Sequence, residues 1–359
     1  MTSISDEVLI DCQSVWKVFG NRHAEAIAAI TGRGLGKHEV LKEFGCVVGV
    51  SDASIQVRRG EIFCIMGLSG SGKSTLIRLL NRLIEPSLGK VLVKGRDIAT
   101  MDAATLRETR ARHIGMVFQS VALLPQRNVL ENAAFGLEVQ GVARDDRHRA
   151  ASAALAKVGL TDWAMRYPSE LSGGMQQRVG LARALTADPE IILMDEPFSA
   201  LDPLIRRQLQ DEFRQLTKAL GKSAVFITHD LDEAIRIGDR IAIMKDGVII
   251  QTGTAEEIVM NPADQYVADF VAGISRLHLV KAHSVMVPAG EWLRDAPGAS
   301  IEALPRTTPE ADIDALIGRI TGSDKDAVAI YDGADLAGVV TIRNLLLGVR
   351  GDAAASHAG

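Results

Sequence analysis

The chain has 359 residues and a hydrophobic content of 47%, enough for two cores, but aromatic residues make up only 4%, so aliphatic side chains must fill them. Its formal net charge of -5 gives no electrostatic case for wrapping nucleic acid. Three widely spaced cysteines, Cys12, Cys46 and Cys64, contain no CxxC, which argues against a disulfide framework or a zinc site and predicts reduced, partly buried thiols.

The first residues, Met1 to Ser14, carry Asp6, Glu7 and Asp11 and lack the basic start and apolar core of a signal peptide. No apolar run reaches the roughly 18 residues of a membrane helix. Both features predict a soluble, cytoplasmic chain whose membrane role comes through a partner. Val8 to Phe19 reads as a strand. Residues 21–46 read as an insertion of helical stretches broken at Gly32, Gly34 and Gly36. A strand from Val47 to Val57 and a buried strand from Ile62 to Met66 follow, then a glycine-rich loop and a helix from Lys73 to Leu83.

Residues 101–180 alternate charged and apolar residues at helical spacing, with the charged run from Arg144 to Arg149 on a solvated face. Strand-like runs at Ile191–Met194, Ala224–Ile227 and Ile241–Met244, separated by helical segments, predict an α/β fold with a largely parallel sheet. Near Ile274 the composition shifts. Residues 275–300 read as a linker, and 307–349 as a small second domain: helix Glu310–Ile320, strand Ala327–Tyr331, turn, strand Leu336–Val340, helix Ile342–Val349. The last residues, 351–359, read as a disordered tail.

The strongest local signal is Gly67-Leu-Ser69-Gly70-Ser71-Gly72-Lys73-Ser74, followed by Thr75, which fits G-x-x-x-x-G-K-[ST] between a buried strand and a helix. Glycines let the backbone wrap phosphate oxygens, and the helix N-terminus adds partial positive charge. Lys73 is placed to reach the β- and γ-phosphates and the Ser74 hydroxyl to ligate Mg²⁺. The apolar strand Ile191–Met194 ends in Asp195-Glu196. Adjacent side chains on a strand point to opposite sides, so Asp195 can serve a Mg²⁺ shell while Glu196 orients or deprotonates a water.

Leu171-Ser172-Gly173-Gly174-Met175 resembles the signature of ABC ATPases, in which the hydroxyl and exposed N–H groups of one subunit hold the ATP of its partner. The resemblance extends over residues 8–270. Gln119 resembles the Q-loop glutamine, near Mg²⁺ or water. Ser199-Ala-Leu-Asp202 resembles the D-loop, with Asp202 across the dimer, and His229 the switch histidine at the γ-phosphate. Phe19 resembles the aromatic that stacks on adenine, with Trp16 as the alternative. Met175 stands where glutamine is commoner. The family implies a P-loop NTPase with a RecA-like core, an antiparallel β subdomain and a helical subdomain, in an ATPase domain of residues 1–274. It also implies ATP and Mg²⁺ as cofactors and a homodimer. The fused halves, coiled-coil insertions and basic arms of members acting on nucleic acid or ribosomes are not seen.

Within the family the chain most resembles importer ATPases for glycine betaine, proline betaine and choline. Three stretches carry this: the insertion 21–50, with Gly34-Leu-Gly-Lys37 and the exit Val48-Gly-Val-Ser-Asp-Ala-Ser54; Ile65-Met-Gly-Leu-Ser-Gly-Ser-Gly-Lys-Ser-Thr75 followed by Arg78-Leu-Leu-Asn-Arg-Leu-Ile-Glu-Pro86; and Ala200-Leu-Asp-Pro-Leu-Ile205 with His229-Asp-Leu-Asp-Glu-Ala-Ile-Arg-Ile-Gly-Asp239 beyond. This implies transmembrane permease subunits, an extracytoplasmic substrate-binding protein as indirect partner, and a peripheral position on the cytoplasmic face of the inner membrane. Another small solute, such as an amino acid, is the alternative cargo. Residues 275–350, linker and small domain, resemble a single α+β CBS repeat, with Thr341 and, where Asp is common, Asn344. A structural clamp and a regulatory site both stay open for it, and for the insertion both a permease contact and a surface elaboration.

Overall fold

A computed structural model describes residues 5–199, 201–295 and 300–350. The expected tail, Ala200 of the D-loop and part of the expected linker lie outside these residues. The chain divides into two compact units, 1–252 and 253–359.

The first unit runs β1 (Val8–Phe19), α1 (His23–Arg33), α2 (Lys37–Phe44), β2 (Val47–Arg58), β3 (Ile62–Met66), α3 (Lys73–Leu80), β4 (Leu88–Val93), β5 (Arg96–Asp97), α4 (Ala103–His113) and β6 (Ile114–Val117). It continues with α5 (Val129–Val139), α6 (Arg144–Lys157), α7 (Gly173–Leu185), β7 (Ile191–Asp195), α8 (Pro203–Ala219), β8 (Ser223–Thr228), α9 (Leu231–Ile237), β9 (Arg240–Lys245) and β10 (Val248–Gly253). A six-stranded sheet in the order β10-β9-β3-β8-β7-β6 has its β9, β3, β8, β7 and β6 neighbours paired parallel. A four-stranded sheet, β2-β1-β4-β5, is antiparallel.

The two sheets read differently because they are buried differently. All five residues of β3 and of β7 are buried, as expected of strands covered on both faces. In β2, residues 54–58 alternate between exposed and buried. One core joins both sheets through α3: Ile10, Ile55 and Val91 from one side, Phe63, Leu193 and Val225 from the other, with Leu76, Ile77, Leu79 and Leu80 between them. The chain thereby pins the N-terminus of α3 where the ends of the parallel strands converge.

Several expectations are corrected. Gly32 does not break the first helix of the insertion, which stops at Gly34, a left-handed cap with φ 68°. The helix after the glycine-rich loop ends at Leu80, not Leu83. The stretch 101–180 contains β6, which joins the parallel sheet beside β7.

The second unit contains α10 (Ala255–Met260), α11 (Gln265–Val271), α12 (Ala282–Val285), α13 (Ala289–Asp295), β11 (Arg306–Thr307), α14 (Ile313–Thr321), β12 (Ala327–Asp332), β13 (Asp335–Thr341) and α15 (Ile342–Arg350). β11 pairs parallel with β12, which pairs antiparallel with β13. Val328 and Ile330 of β12 join one core with Ile313, Leu316 and Leu345, while Ala327 and Ala329 join a second with Leu304 and Val339. The sheet is thus buried on both faces. Residues 275–285 are less linker-like than their composition suggests, since Val280, Ala282 and Val285 belong to the first of these cores together with Met260. The boundary therefore falls at 252/253 rather than 274/275.

Candidate functional site

The chain leaves β3 at Met66 and must enter α3 at Lys73, and the loop between them is shaped by contacts with its own backbone. A Cβ on Gly67, whose φ is +157°, would stand 2.1 Å from the Met244 carbonyl oxygen. One on Gly72, at φ +105°, would stand 2.3 Å from that of Gly49. Only glycine fits either position. The Lys73 side chain is buried. Its ammonium donates to the carbonyl oxygens of Gly67 (2.8 Å) and Leu68 (3.1 Å) and lies 3.8 Å from Glu196 Oε1. Burial lowers its pKa, while the carboxylates of Glu196 and Asp195 act in the opposite direction. The Ser71 hydroxyl is buried with no hydrogen-bond partner among the described residues. A buried ammonium, an unmatched hydroxyl and a glycine backbone that admits no side chain fit a phosphate chain.

At the end of β7, Asp195 is buried and accepts hydrogen bonds from Ser74 Oγ (3.0 Å) and an Arg78 guanidinium nitrogen (3.3 Å). Hard oxygen donors paired in this way suit a magnesium shell. Glu196 has left-handed backbone, φ +43°, a conformation that costs a non-glycine residue roughly 1–3 kcal/mol and is held here by its surroundings. Its N–H donates to the Ile227 carbonyl at 3.2 Å, and Phe198, two residues on, is clamped between Phe213 and Phe226 at centroid distances of 6.4 and 5.8 Å. His229 Nδ1 lies 3.2 Å from Glu196 Oε2. The turn carrying His229 is fixed by Thr228, whose hydroxyl donates to Glu233 and accepts from the Asp230 N–H, and by Asp230, which caps α9. Burial raises the pKa of Glu233, against hydrogen bonds from Thr228 and Gln210.

Lys73 and Glu196 open onto a cleft of about 420 Å³ whose walls also include Phe19, Ser69, Gly70, Gly72, Ser74, Thr75 and Gln119; Gly67, Ser71, Asp195 and His229 stand behind this lining rather than in it. Phe19 is partly exposed there, while Trp16 packs with the core of the insertion. Leu171 to Met175 and Asp202 do not line the cleft. Ser172 caps α7, accepting from the Met175 N–H at 3.4 Å, and is exposed together with Gly173. Asp202 likewise caps α8, accepting from the Leu204 N–H at 3.0 Å.

Three residues contribute without having been assigned a role from sequence. Arg78 holds Asp195. Gly49 leaves room for Phe19, because a Cβ there would stand 2.7 Å from the ring. Lys37, from the insertion, stands in the cleft wall. A glycine among Val47, Val48 and Val50 at the start of a strand was a usable signal for the second. Nothing in the linear order announces the first or the third.

The profile of the ABC transporter family matches residues 50–199. The chain is 52% identical over 293 residues to the glycine betaine/proline betaine transport system ATP-binding protein ProV of Salmonella typhimurium, covering 81% of this chain and 73% of that protein. It is 47% identical over 293 residues to the trimethylamine N-oxide transport system ATP-binding protein TmoW of Pelagibacter ubique, covering 81% and 85%. A solved dimeric ATP-binding cassette, in a post-hydrolysis state bound to ADP and Pi, superposes with a TM-score of 0.57 at 30% identity, over 68% of this chain and 98% of that one. Among the described residues no helix is long and apolar enough to cross a membrane. With a glycine-rich loop and Glu196 lining one cleft, Asp195 and His229 bonded to Ser74 and Glu196 of that lining, and with this identity and coverage, the chain belongs to the ABC transporter family as an ATP-binding, ATP-hydrolysing subunit.

Proposed function

We propose that this ATPase drives an importer of quaternary-ammonium compounds such as glycine betaine, proline betaine or choline, working as a homodimer on two permease subunits at the cytoplasmic face of the inner membrane. The observation that carries the catalytic part is the position of Glu196, in the cleft wall with Lys73 3.8 Å from one carboxylate oxygen and His229 3.2 Å from the other. Phe19 stacks on adenine. The loop Gly67–Ser74, with Thr75, wraps the phosphates, and the Lys73 ammonium moves from its carbonyl partners to phosphate oxygens. Glu196 accepts a proton from the attacking water as its oxygen bonds to the γ-phosphorus and the bond to ADP breaks; His229 orients this carboxylate and meets the γ-phosphate. Ser74, Asp195 and Gln119 are the residues that would hold Mg²⁺, which when bound offsets the charge developing between the β- and γ-phosphates. Leu171 to Met175 of one subunit cover the nucleotide of the other, and Asp202 lies along the same interface. A substrate-binding protein outside the membrane delivers the cargo.

The cargo class rests on the named activities of the relatives and on the resemblance. A second reading, trimethylamine N-oxide, follows from the 47% identity to TmoW, and an amino acid is a more distant alternative. For the second unit we favour a CBS-like clamp over a nucleotide sensor. Asn344 Oδ1 accepts from the Thr341 N–H and hydroxyl, and the Asn344 N–H donates to Thr341 Oγ1 at 3.2 Å. The two side chains thus cap α15 and commit the groups a ribose would need.

Uptake of labelled glycine betaine, choline and trimethylamine N-oxide in cells lacking this protein, complemented with wild type or Glu196→Gln, tests the proposal. Wild type should restore uptake of at least one. Glu196→Gln should cut turnover by at least about 10²-fold while sparing ATP binding. Retained wild-type turnover in that variant would remove Glu196 from its role, and rescue of none of the three solutes would remove the cargo class.

A further inference from the structure

The insertion is fastened beside the nucleotide cleft. Ala26 and Val40, with Ile27, Ile30, Leu35 and Phe44, pack on Val18 and Val48, the strand ends next to Phe19 and Gly49. Gly45, at φ +65°, then returns the chain to Val47, which pairs with Phe19. The packing fixes the first residue of α2, Lys37, in the cleft wall. Lys37 and Lys73 are the two cations among the residues that line it.

The local setting of Lys37 is unfavourable for the helix. It stands in the first turn of α2, where the helix dipole favours an acid and repels a cation. Its one ion pair among the described residues, to Asp246 Oδ1, is 3.4 Å long, and the Asp246 side chain is 71% exposed, so the pair contributes little and exchanges readily. A charge that breaks the local rule without a stabilising return points to a ligand. Asp246 precedes Gly247, whose carbonyl accepts from the Ser51 N–H at 2.8 Å. The Gly247 N–H in turn donates to the Ser71 carbonyl at 2.8 Å, so the pair stands where β2 meets the glycine-rich loop.

We infer that Lys37 is a nucleotide-binding residue supplied by the insertion, its ammonium leaving Asp246 to meet the phosphate nearest the nucleoside. This rests on the reading of the cleft as the ATP site. Because ATP and ADP share that phosphate, the contact serves both equally and closes the rim over adenine and ribose without touching the reacting bond.

Equilibrium binding of ATP and ADP to the full chain tests this, with wild type, Lys37→Ala, Lys37→Arg, Asp246→Asn and Lys73→Ala. Lys37→Ala should weaken ATP and ADP by the same factor, about 3- to 10-fold, the size of one partly solvated charge-assisted contact. The deficit should shrink in high salt, and Lys37→Arg should recover most of the affinity. Asp246→Asn should bind at least as tightly as wild type, since the competing carboxylate is gone. Wild-type affinity in Lys37→Ala, or a loss confined to ATP, would overturn the assignment. An undiminished affinity in Lys73→Ala, or no ATP binding by the wild type, would instead overturn the reading of the cleft, and this inference with it.

Discussion

At Gly67 an added Cβ would stand 2.1 Å from the Met244 carbonyl oxygen, whereas at Gly173 the nearest atom would be a Leu201 methyl carbon 3.6 Å away. Both loops are glycine-rich and both lead into a helix, α3 in one case and α7 in the other. The first is closed by its own chain: Lys73 is buried, and the carbonyls of Met244 and Gly49 press on the loop. The second is exposed at Ser172 and Gly173, and only Gly174, whose Cβ would meet Ile205 at 2.9 Å, is required by packing within the subunit. A glycine that its own chain does not need is spare room for something else, which matches the proposed role of this turn on a partner's nucleotide.

The largest effect expected from breaking this contrast is at the closed loop. Gly67→Ala should destabilise the chain by at least about 2 kcal/mol, from backbone strain and the clash together, and should abolish ATP binding; chemical denaturation and a binding titration would read both. Next comes the open turn. Gly173→Ala should leave the unfolding free energy within about 0.5 kcal/mol of wild type and ATP affinity of the lone chain unchanged. It should lower ATPase turnover of the assembled transporter at least about tenfold by keeping the partner's phosphates away from the backbone donors. Normal turnover in that complex would mean that the signature turn makes no close approach.

The smallest effect is expected at the far end of β7, where Glu190 immediately precedes Ile191. Burial would raise the pKa of Glu190, but hydrogen bonds from Lys94, Arg59 and His113 outweigh it and hold the carboxyl at about 2 against an ordinary 4.5. A depressed folded-state pKa stabilises above the unfolded value, and the contribution is lost as pH falls from about 4.5 towards about 2. Glu190→Gln should therefore lower the thermal midpoint modestly near neutrality, with the difference from wild type narrowing below about pH 4.5 and closing towards about pH 2. A gap independent of pH would show that the ion network is not what anchors this strand.

The glycine-rich loop, the acid pair and His229 stood out in the sequence because each follows an apolar strand directly, as in Ile191–Glu196 and Ser223–His229, and the structure sets them beside one another. The parallel strands β3, β7, β8 and β9 were equally legible as apolar runs. Other strands were hidden by their setting. Four-residue β6 follows α4 without a turn residue, and β10 is mostly half-exposed, so neither shows a clear period. Gly32 misled because a glycine within the last turn of a helix is tolerated, and the stop is supplied by the left-handed Gly34. Lys37 was quoted as part of a resemblance but given no task, since the contact that matters spans some two hundred residues of sequence, from α2 to the turn after β9.

The hydrogen bond from Ser74 to Asp195 has a consequence for the order of events at the site. A serine hydroxyl owns one proton and two lone pairs. With the proton committed to Asp195, the lone pairs are turned outward before any cation arrives. The proposed Mg²⁺ would then meet an oxygen already oriented for it, with no rotor left to freeze, so its capture is limited by the shedding of its own water rather than by rearrangement of the protein. Asp195→Asn would present an N–H to the same oxygen, turn the hydroxyl proton away from position 195, and make the serine repel what it now awaits.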